Sequence, residues 1–147
     1  MNYIARWLLK PHTTITTLDA WDAGPAAALL KHDDDRTELL WKVWDLPENE
    51  VWLRTPLPDH LARDVKKNPD LLIPEVLNQT PSAEGVIEVY STHSRAVIIT
   101  LPYASGRTAS PEVEIATHVA EYATQYPAIA LHMAQLAAAS PLFRRTF

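Results

Sequence analysis

The chain has 147 residues, a mass of 16.5 kDa, 47% hydrophobic and 21% charged residues, and a formal net charge of −5. This length and composition predict one globular domain, residues 1–147, whose core needs neither disulfides nor metal. The sequence contains no cysteine, which excludes disulfides, thiolate catalysis and cysteine-ligated metal sites. The acidic balance disfavours a nucleic-acid partner, because nucleic-acid binders usually carry a basic patch.

The N-terminus and the longest apolar stretch predict a soluble, cytoplasmic protein with no membrane partner. Residues 1–10 are interrupted by Arg6 and Lys10 and lack a small-residue cleavage site, so they do not resemble a signal peptide. Residues 128–139 are mostly apolar, but they contain His132 and Gln135 and are shorter than the roughly 20 residues of a membrane span.

The first elements are predicted from alternation and capping. Residues 3–9 alternate in a way that favours a first strand. Thr16 or Thr17 could cap a short helix that ends at Gly24, and Pro25 suits the first position of a second helix over residues 26–31. The acidic run 33–35 that follows predicts a solvated turn rather than a cation site, because consecutive carboxylates rarely converge on one ion.

Residues 38–46 and 51–55 predict a β-hairpin, although the stripe within residues 37–46 also fits a helix. A four-residue loop would pair Trp44 with Leu53 and Asp45 with Trp52. One face of this hairpin would then carry Trp44 and Leu53 toward the core. The opposite face would mix large aromatics with charge; it would carry Trp41, Asp45, Trp52 and Arg54. This face is either partly exposed, as the composition of a protein interface favours, or covered by helices with its tryptophans in the core.

The rest of the chain is predicted to alternate helix, hairpin and helix. Pro58 begins a helix that ends near Asn68, a short helical stretch lies within 70–78, and residues 86–90 and 96–101 form the clearest strands. From Pro111 the hydrophobic period becomes helical and continues to about residue 139. The predicted fold is therefore α+β, a mainly antiparallel sheet (hairpins at about 38–55 and 86–101) with a C-terminal helical segment, 111–139, packed on it.

The strand-to-helix junction 105–111 is a candidate anion site. Free backbone N–H groups at a helix N-terminus favour phosphate or carboxylate, and the surrounding residues could add hydrogen bonds and charge. The candidate residues are Ser105, Gly106, Arg107, Thr108 and Ser110. The competing interpretation is an ordinary loop in which Ser110 caps the helix, and the lysine and glycines of a phosphate-binding P-loop are absent.

No residues stand out as catalytic, and the sequence predicts neither a metal nor a cofactor. Glu114, His118 and Glu121 share a helix face, but no second helix supplies a matching pair, so a solvated stripe is favoured. His60 with Asp64, and His93 near Ser91 and Ser94, lack the frame of a nucleophile elbow.

The distribution of tryptophan gives the functional hypothesis. All five tryptophans lie within the first 52 residues, and tryptophan and arginine are enriched at binding hot spots. The sequence therefore predicts a non-enzymatic protein-binding module, an adaptor, inhibitor or regulator. Its partner would be another protein or a second copy of the chain, bound through Trp41, Asp45, Trp52 and Arg54. The alternative is an enzyme or binding domain for a phosphorylated small molecule that uses the 105–111 junction.

Overall fold

A computed structural model describes residues 3–8, 13–21, 24–45, 49–67, 73–78, 84–104 and 111–125. Six antiparallel strands form one sheet in chain order: β1 Thr13–Trp21, β2 Gly24–His32, β3 Thr37–Asp45, β4 Asn49–Pro56, β5 Glu84–Ser91 and β6 Ala96–Ala104. The helices are α1 Ala5–Leu8, α2 Asp59–Lys67, α3 Ile73–Asn78 and α4 Pro111–Gln125. The described fold is largely sheet with a few helices, in agreement with the predicted α+β class.

The elements after residue 56 follow the sequence prediction closely. The β5–β6 hairpin, the helix after Pro58 and the short helix before residue 78 are all present. The C-terminal helix begins at Pro111 as predicted, and Ile115, Ala116 and Val119 are buried in one cluster with residues of the sheet. Residues 126–139 lie outside the described residues, so the packing of the whole predicted segment on the sheet stays a prediction.

The elements before residue 33 were predicted wrongly. Residues 16–21 and 26–31 lie in strands β1 and β2 instead of helices, and residues 5–8 form the helical turn α1 instead of a strand. Ala27 and Ala28 are buried on opposite sides of β2, which pairs with β1 and β3. Burial between two neighbouring strands therefore outweighs the helix propensity of alanine.

The hairpin of β3 and β4 exists, which rules out the helical alternative for residues 37–46, but its register differs from the prediction. Trp41, not Trp44, lies opposite Leu53, and Lys42 lies opposite Trp52. An irregularity between Lys42 and Trp44 then shifts the pairing by one residue. A shift of an odd number of residues moves side chains to the other face of a sheet. As a result Trp41 and Trp52 point to opposite faces.

The two faces of the sheet differ in chemistry. The apolar face belongs to one hydrophobic cluster that also contains residues of α2, α3 and α4; its strand residues include Leu29, Leu39, Trp41, Val51, Leu53, Ile87, Val89, Ile99 and Leu101. The opposite face, called the Trp52 face below, combines apolar with charged side chains. Its apolar members on the strands are Ala28, Leu30, Leu40, Trp52 and Tyr90. None of the helices in the described ranges is both long enough and apolar enough to cross a membrane.

Candidate binding surface

The N-terminal segment, residues 3–8, lies against the Trp52 face. Tyr3 stacks on Trp52 with ring centroids 4.3 Å apart and an interplanar angle of 18°, and it meets the ring of Tyr90 edge-on at 5.9 Å. The Tyr3 hydroxyl donates a hydrogen bond of 2.8 Å to Oε1 of Glu88. Tyr3, Ile4 and Trp7 are all buried in this contact. Tyr3 lies in the turn just before α1 and Trp7 lies within α1, and both rings pack against the sheet.

Lys42 and Glu50 form a buried ion pair beneath the aromatic rings. Lys42 Nζ lies 3.3 Å from Oε2 of Glu50, and the Lys42 side chain is 1% exposed. The second carboxylate oxygen of Glu50 accepts a hydrogen bond of 3.0 Å from the indole Nε1 of Trp52. The ammonium group also lies 5.7 Å from the centre of the Trp52 ring. Both oxygens of the carboxylate are therefore satisfied, which burial of a charge requires.

Arg54 is the centre of a second charged network that crosses three strands. Its Nη1 lies 3.6 Å from Oε1 of Glu88 on β5, and its Nε lies 3.3 Å from Oε2 of Glu38 on β3. The Nε–H is not directed at that oxygen, so the contact with Glu38 is an ion pair without a hydrogen bond. Glu38 also contacts Nε2 of His32 at 2.6 Å. The guanidinium group lies 5.2 Å from the centre of the Trp7 ring, which places the N-terminal segment over it.

The pKa values of two tyrosines reflect this environment. Burial, followed by the charge of Glu88 and the hydrogen bond to it, raises the pKa of Tyr3 well above its ordinary value. Burial and the charge of Glu50 also raise the pKa of Tyr90. Both shifts favour the neutral phenol, because an ionised ring would lie beside a carboxylate in a poorly solvated place.

The predicted binding residues do not form one surface. Trp41 is 8% exposed on the apolar face, and Trp52 is 1% exposed on the opposite face. The expectation of a shared, partly exposed face was therefore wrong for Trp41 and Trp52. Arg54 does lie beside Trp52, with 27% of its side chain exposed. The backbone of Asp45 pairs with Glu50, and the side chains of Asp45 and Trp44 lie outside the described part of the structure.

Sequence reasoning missed the residues that make Arg54 and Trp52 compatible with burial. The overlooked residues are Tyr3, His32, Glu38, Lys42, Glu50 and Glu88. A signal for three of them, Glu38, Lys42 and Glu50, was present, because charges of opposite sign recur at even positions of β3 and β4. The pairs are Glu38 with Lys42 on β3 and Glu50 with Arg54 on β4, flanking Leu40 and Trp52. Such alternation indicates that one strand face carries paired charges.

The other predicted candidates do not gather around this surface. Of the anion candidates, Ser105, Gly106, Arg107, Thr108 and Ser110 all lie outside the described residues. The acidic run 33–35 forms an exposed turn, where two hydrogen bonds from Arg36 lower the pKa of Asp34. The predicted solvated stripe on α4 was wrong for two residues. Glu114 is buried, and His118 packs its ring edge-on against Tyr103 at 5.4 Å, because this side of α4 faces β6.

The described residues give little support for a metal site or a catalytic site. They contain no group of three or more His, Cys, Asp or Glu side chains placed to hold a metal ion. His60 and His93 are exposed, and Ser91 uses its hydroxyl to accept a hydrogen bond of 3.1 Å from the backbone N–H of Ser94 in the β5–β6 turn.

Comparison with known proteins gives no family assignment: no family model, no curated protein and no solved structure matches this chain.

Proposed function

We propose that this protein is a non-enzymatic protein-binding module, of the adaptor, inhibitor or regulator type, and that it recognises its partner through the Trp52 face. The observation that carries the proposal is the contrast between the two faces of the sheet. One is covered by hydrophobic residues, as in an ordinary core, whereas the other combines Trp52 and Tyr90 with Lys42 and Arg54. Aromatic residues and arginine are the types enriched in the centres of protein interfaces.

The rim of this face is open to a partner. The side chain of Arg54 is 27% exposed, and those of His32 and Glu38 are 17% and 16% exposed. A partner could therefore reach the charged network from the solvent. Arginine suits this position because its planar guanidinium group offers several donors in a fixed geometry and stacks on aromatic rings.

The proposal is tested with a conservative change at the rim. Arg54→Lys keeps the charge but loses the planar group, and Arg63→Lys is the matched control on the exposed side of α2. The wild-type protein and both variants are used to capture partners from the native host, and the captured proteins are quantified by mass spectrometry. A partner retained by wild type and Arg63→Lys but reduced about tenfold or more by Arg54→Lys supports the proposal, since hot-spot changes cost about 2 kcal/mol or more.

Two outcomes would count against it. Equal capture by all three proteins would place the contact elsewhere, and capture of nothing above background would remove the basis for a binding module. Sedimentation of the wild-type chain over a range of concentrations distinguishes a second copy of the protein as the partner.

A further inference from the structure

The segment 3–8 is attached to the Trp52 face through side chains. Among the described residues the sheet consists of strands β1 to β6, and the segment adds no strand to it. The contact includes the Tyr3 ring on Trp52, the Tyr3 hydroxyl on Glu88, and the Trp7 ring against Arg54. This is a short helical segment whose aromatic side chains pack on apolar strand residues with charged groups beside them, and packing of a helix on an apolar groove is one of the ways that proteins bind peptides.

The charged networks of the face do not depend on the segment. Lys42, Glu50 and Trp52 satisfy one another, and Arg54 is paired with Glu38 and Glu88 across the strands. Departure of Tyr3 would remove one hydrogen bond from Glu88, which would keep its ion pair with Arg54. The charged groups of the face would therefore keep their strand-to-strand ion pairs without the segment.

The segment and the face are complementary in charge, but the fit is incomplete. The face brings together the carboxylates of Glu38, Glu50 and Glu88 with the cations of Lys42 and Arg54, and Arg6 adds a positive charge from the segment. The guanidinium of Arg6 lies 5.5 Å from the centre of the Tyr3 ring, and its buried Nη1 has no hydrogen-bond partner among the residues that the structure describes. A buried donor without a partner weakens a contact, so a ligand that satisfied this donor would bind better than the segment does.

From these observations we infer that residues 3–8 are an intramolecular ligand that occupies the recognition surface and competes with the partner. This inference rests on the proposed function. The segment also indicates what the partner presents: two aromatic residues one helical turn apart with a basic residue between them, as in the sequence Tyr3-Ile4-Ala5-Arg6-Trp7. Binding of the partner then requires release of the segment, and the apparent affinity equals the intrinsic affinity multiplied by the fraction of molecules in which the face is free.

The test uses the full-length chain and a fluorescent peptide with the sequence of residues 1–10. A peptide in which the tyrosine and the tryptophan are replaced by alanine is the control. Tyr3→Ala/Trp7→Ala in the full chain removes the anchors of the intramolecular ligand, and we expect it to bind the peptide about tenfold or more tightly than wild type does. Adding Arg54→Lys to this variant should reverse the gain. The control peptide should bind to none of the proteins.

A milder variant covers the possibility that the double substitution unfolds the chain. Tyr3→Phe keeps the stacked ring and removes only the hydrogen bond to Glu88, so peptide affinity should rise about tenfold or more while circular dichroism stays unchanged. A folded variant that gains no peptide binding would overturn the inference. So would a dimer that the double substitution abolishes, because the segment would then belong to a second copy.

The two proposals fail separately. A host partner captured equally by wild type and Tyr3→Ala/Trp7→Ala, but lost with Arg54→Lys, would leave the proposed function standing and overturn the competition. A partner insensitive to Arg54→Lys would overturn the proposed function itself.

Discussion

The ring of Tyr3 stacks on the indole of Trp52 at 4.3 Å, with planes 18° apart, although one residue begins the described chain and the other lies in the middle of the sheet. This contact joins a short N-terminal segment to β4 and places the Tyr3 hydroxyl on Glu88 of β5. Stacked and edge-on aromatic pairs add about 0.5–1.5 kcal/mol to the free energy gained from burial. Tyr3 is therefore an anchor of the segment.

The first prediction is that both faces of the sheet stabilise the fold through tryptophan. Trp41→Ala and Trp52→Ala should each lower the free energy of unfolding by about 3–5 kcal/mol, because each removes a buried large aromatic from a different cluster. Val113→Ala is the control, since Val113 is 40% exposed and should change stability by less than about 0.5 kcal/mol. Urea denaturation measures all three. A small loss with Trp52→Ala would contradict the described burial of that residue.

The sequence predicts the second half of the fold well because its signals are local. The β-branched residues of β5 and β6, Pro58 before α2 and Pro111 at the start of α4 each define an element without help from distant residues. In the N-terminal part the local signals favour helix over residues 26–31, and only pairing with β1 and β3 makes this segment a strand.

The candidate surface could be predicted only in part. Alternation identifies Trp52 and Arg54 as neighbours on one strand face, but the irregularity between Lys42 and Trp44 sends Trp41 to the other face. The carboxylates that pair with Arg54 are those of Glu38 on β3 and Glu88 on β5, and Glu88 is far from Arg54 along the chain. A register across separate strands has no local sequence signal, so the burial of Arg54 beside aromatic rings could not be predicted from its own strand.

The second prediction concerns the buried pair of Lys42 and Glu50. Lys42→Met should lower the free energy of unfolding by about 3–5 kcal/mol, because it leaves the buried carboxylate of Glu50 without its cation. Adding Glu50→Gln should restore much of this loss, since an amide oxygen can still accept the hydrogen bond from Trp52 and carries no charge.

Lys31→Met is the matched control, because the ion pair of Lys31 with Asp35 has side chains 56% and 90% exposed. Surface pairs of this kind contribute little to stability. If the double variant were no more stable than Lys42→Met alone, the charge of Glu50 would not be the cause of the loss.

The third prediction is a loss of stability at alkaline pH that depends on Tyr3. Burial and Glu88 raise the pKa of Tyr3 in the folded chain above its ordinary value of 10.0. Below pH 10 the phenol is neutral in the folded and the unfolded chain, and its contribution is fully present. Above pH 10 the unfolded chain releases the proton first, so stability falls as the pH rises toward the folded pKa.

Chemical denaturation between pH 8 and pH 11 measures this effect, and Tyr3→Phe is the control. The phenylalanine variant should be less stable at pH 8, by about 1.5–3 kcal/mol, because it loses a hydrogen bond to a charged group. It should also lose less stability than wild type above pH 10, the remaining slope reflecting Tyr90, whose pKa is raised as well. Identical slopes for the two proteins would show that Tyr3 titrates normally.

The last prediction concerns Gly85, which lets β5 approach β4 beside Arg54. A Cβ atom at this position would lie 2.3 Å from the backbone oxygen of Arg54 and 3.1 Å from the Cβ of Thr55. The Thr55 hydroxyl also donates a hydrogen bond of 2.7 Å to the carbonyl oxygen of Glu84, which holds the strands together at this point. Gly85→Ala should therefore push the strands apart and lower the free energy of unfolding by about 1–3 kcal/mol, as overpacking does.

The same displacement should reach the Trp52 face, because Arg54 and Glu88 belong to the two strands that separate. We expect Gly85→Ala to weaken capture of a host partner in the same direction as Arg54→Lys, although residue 85 itself contributes no side chain to the contact. Arg63→Lys, at an exposed position of α2 away from the Trp52 face, is the control and should change neither stability nor capture. A stable Gly85→Ala protein with unchanged capture would show that the close approach of β5 to Arg54 is not needed to form the surface.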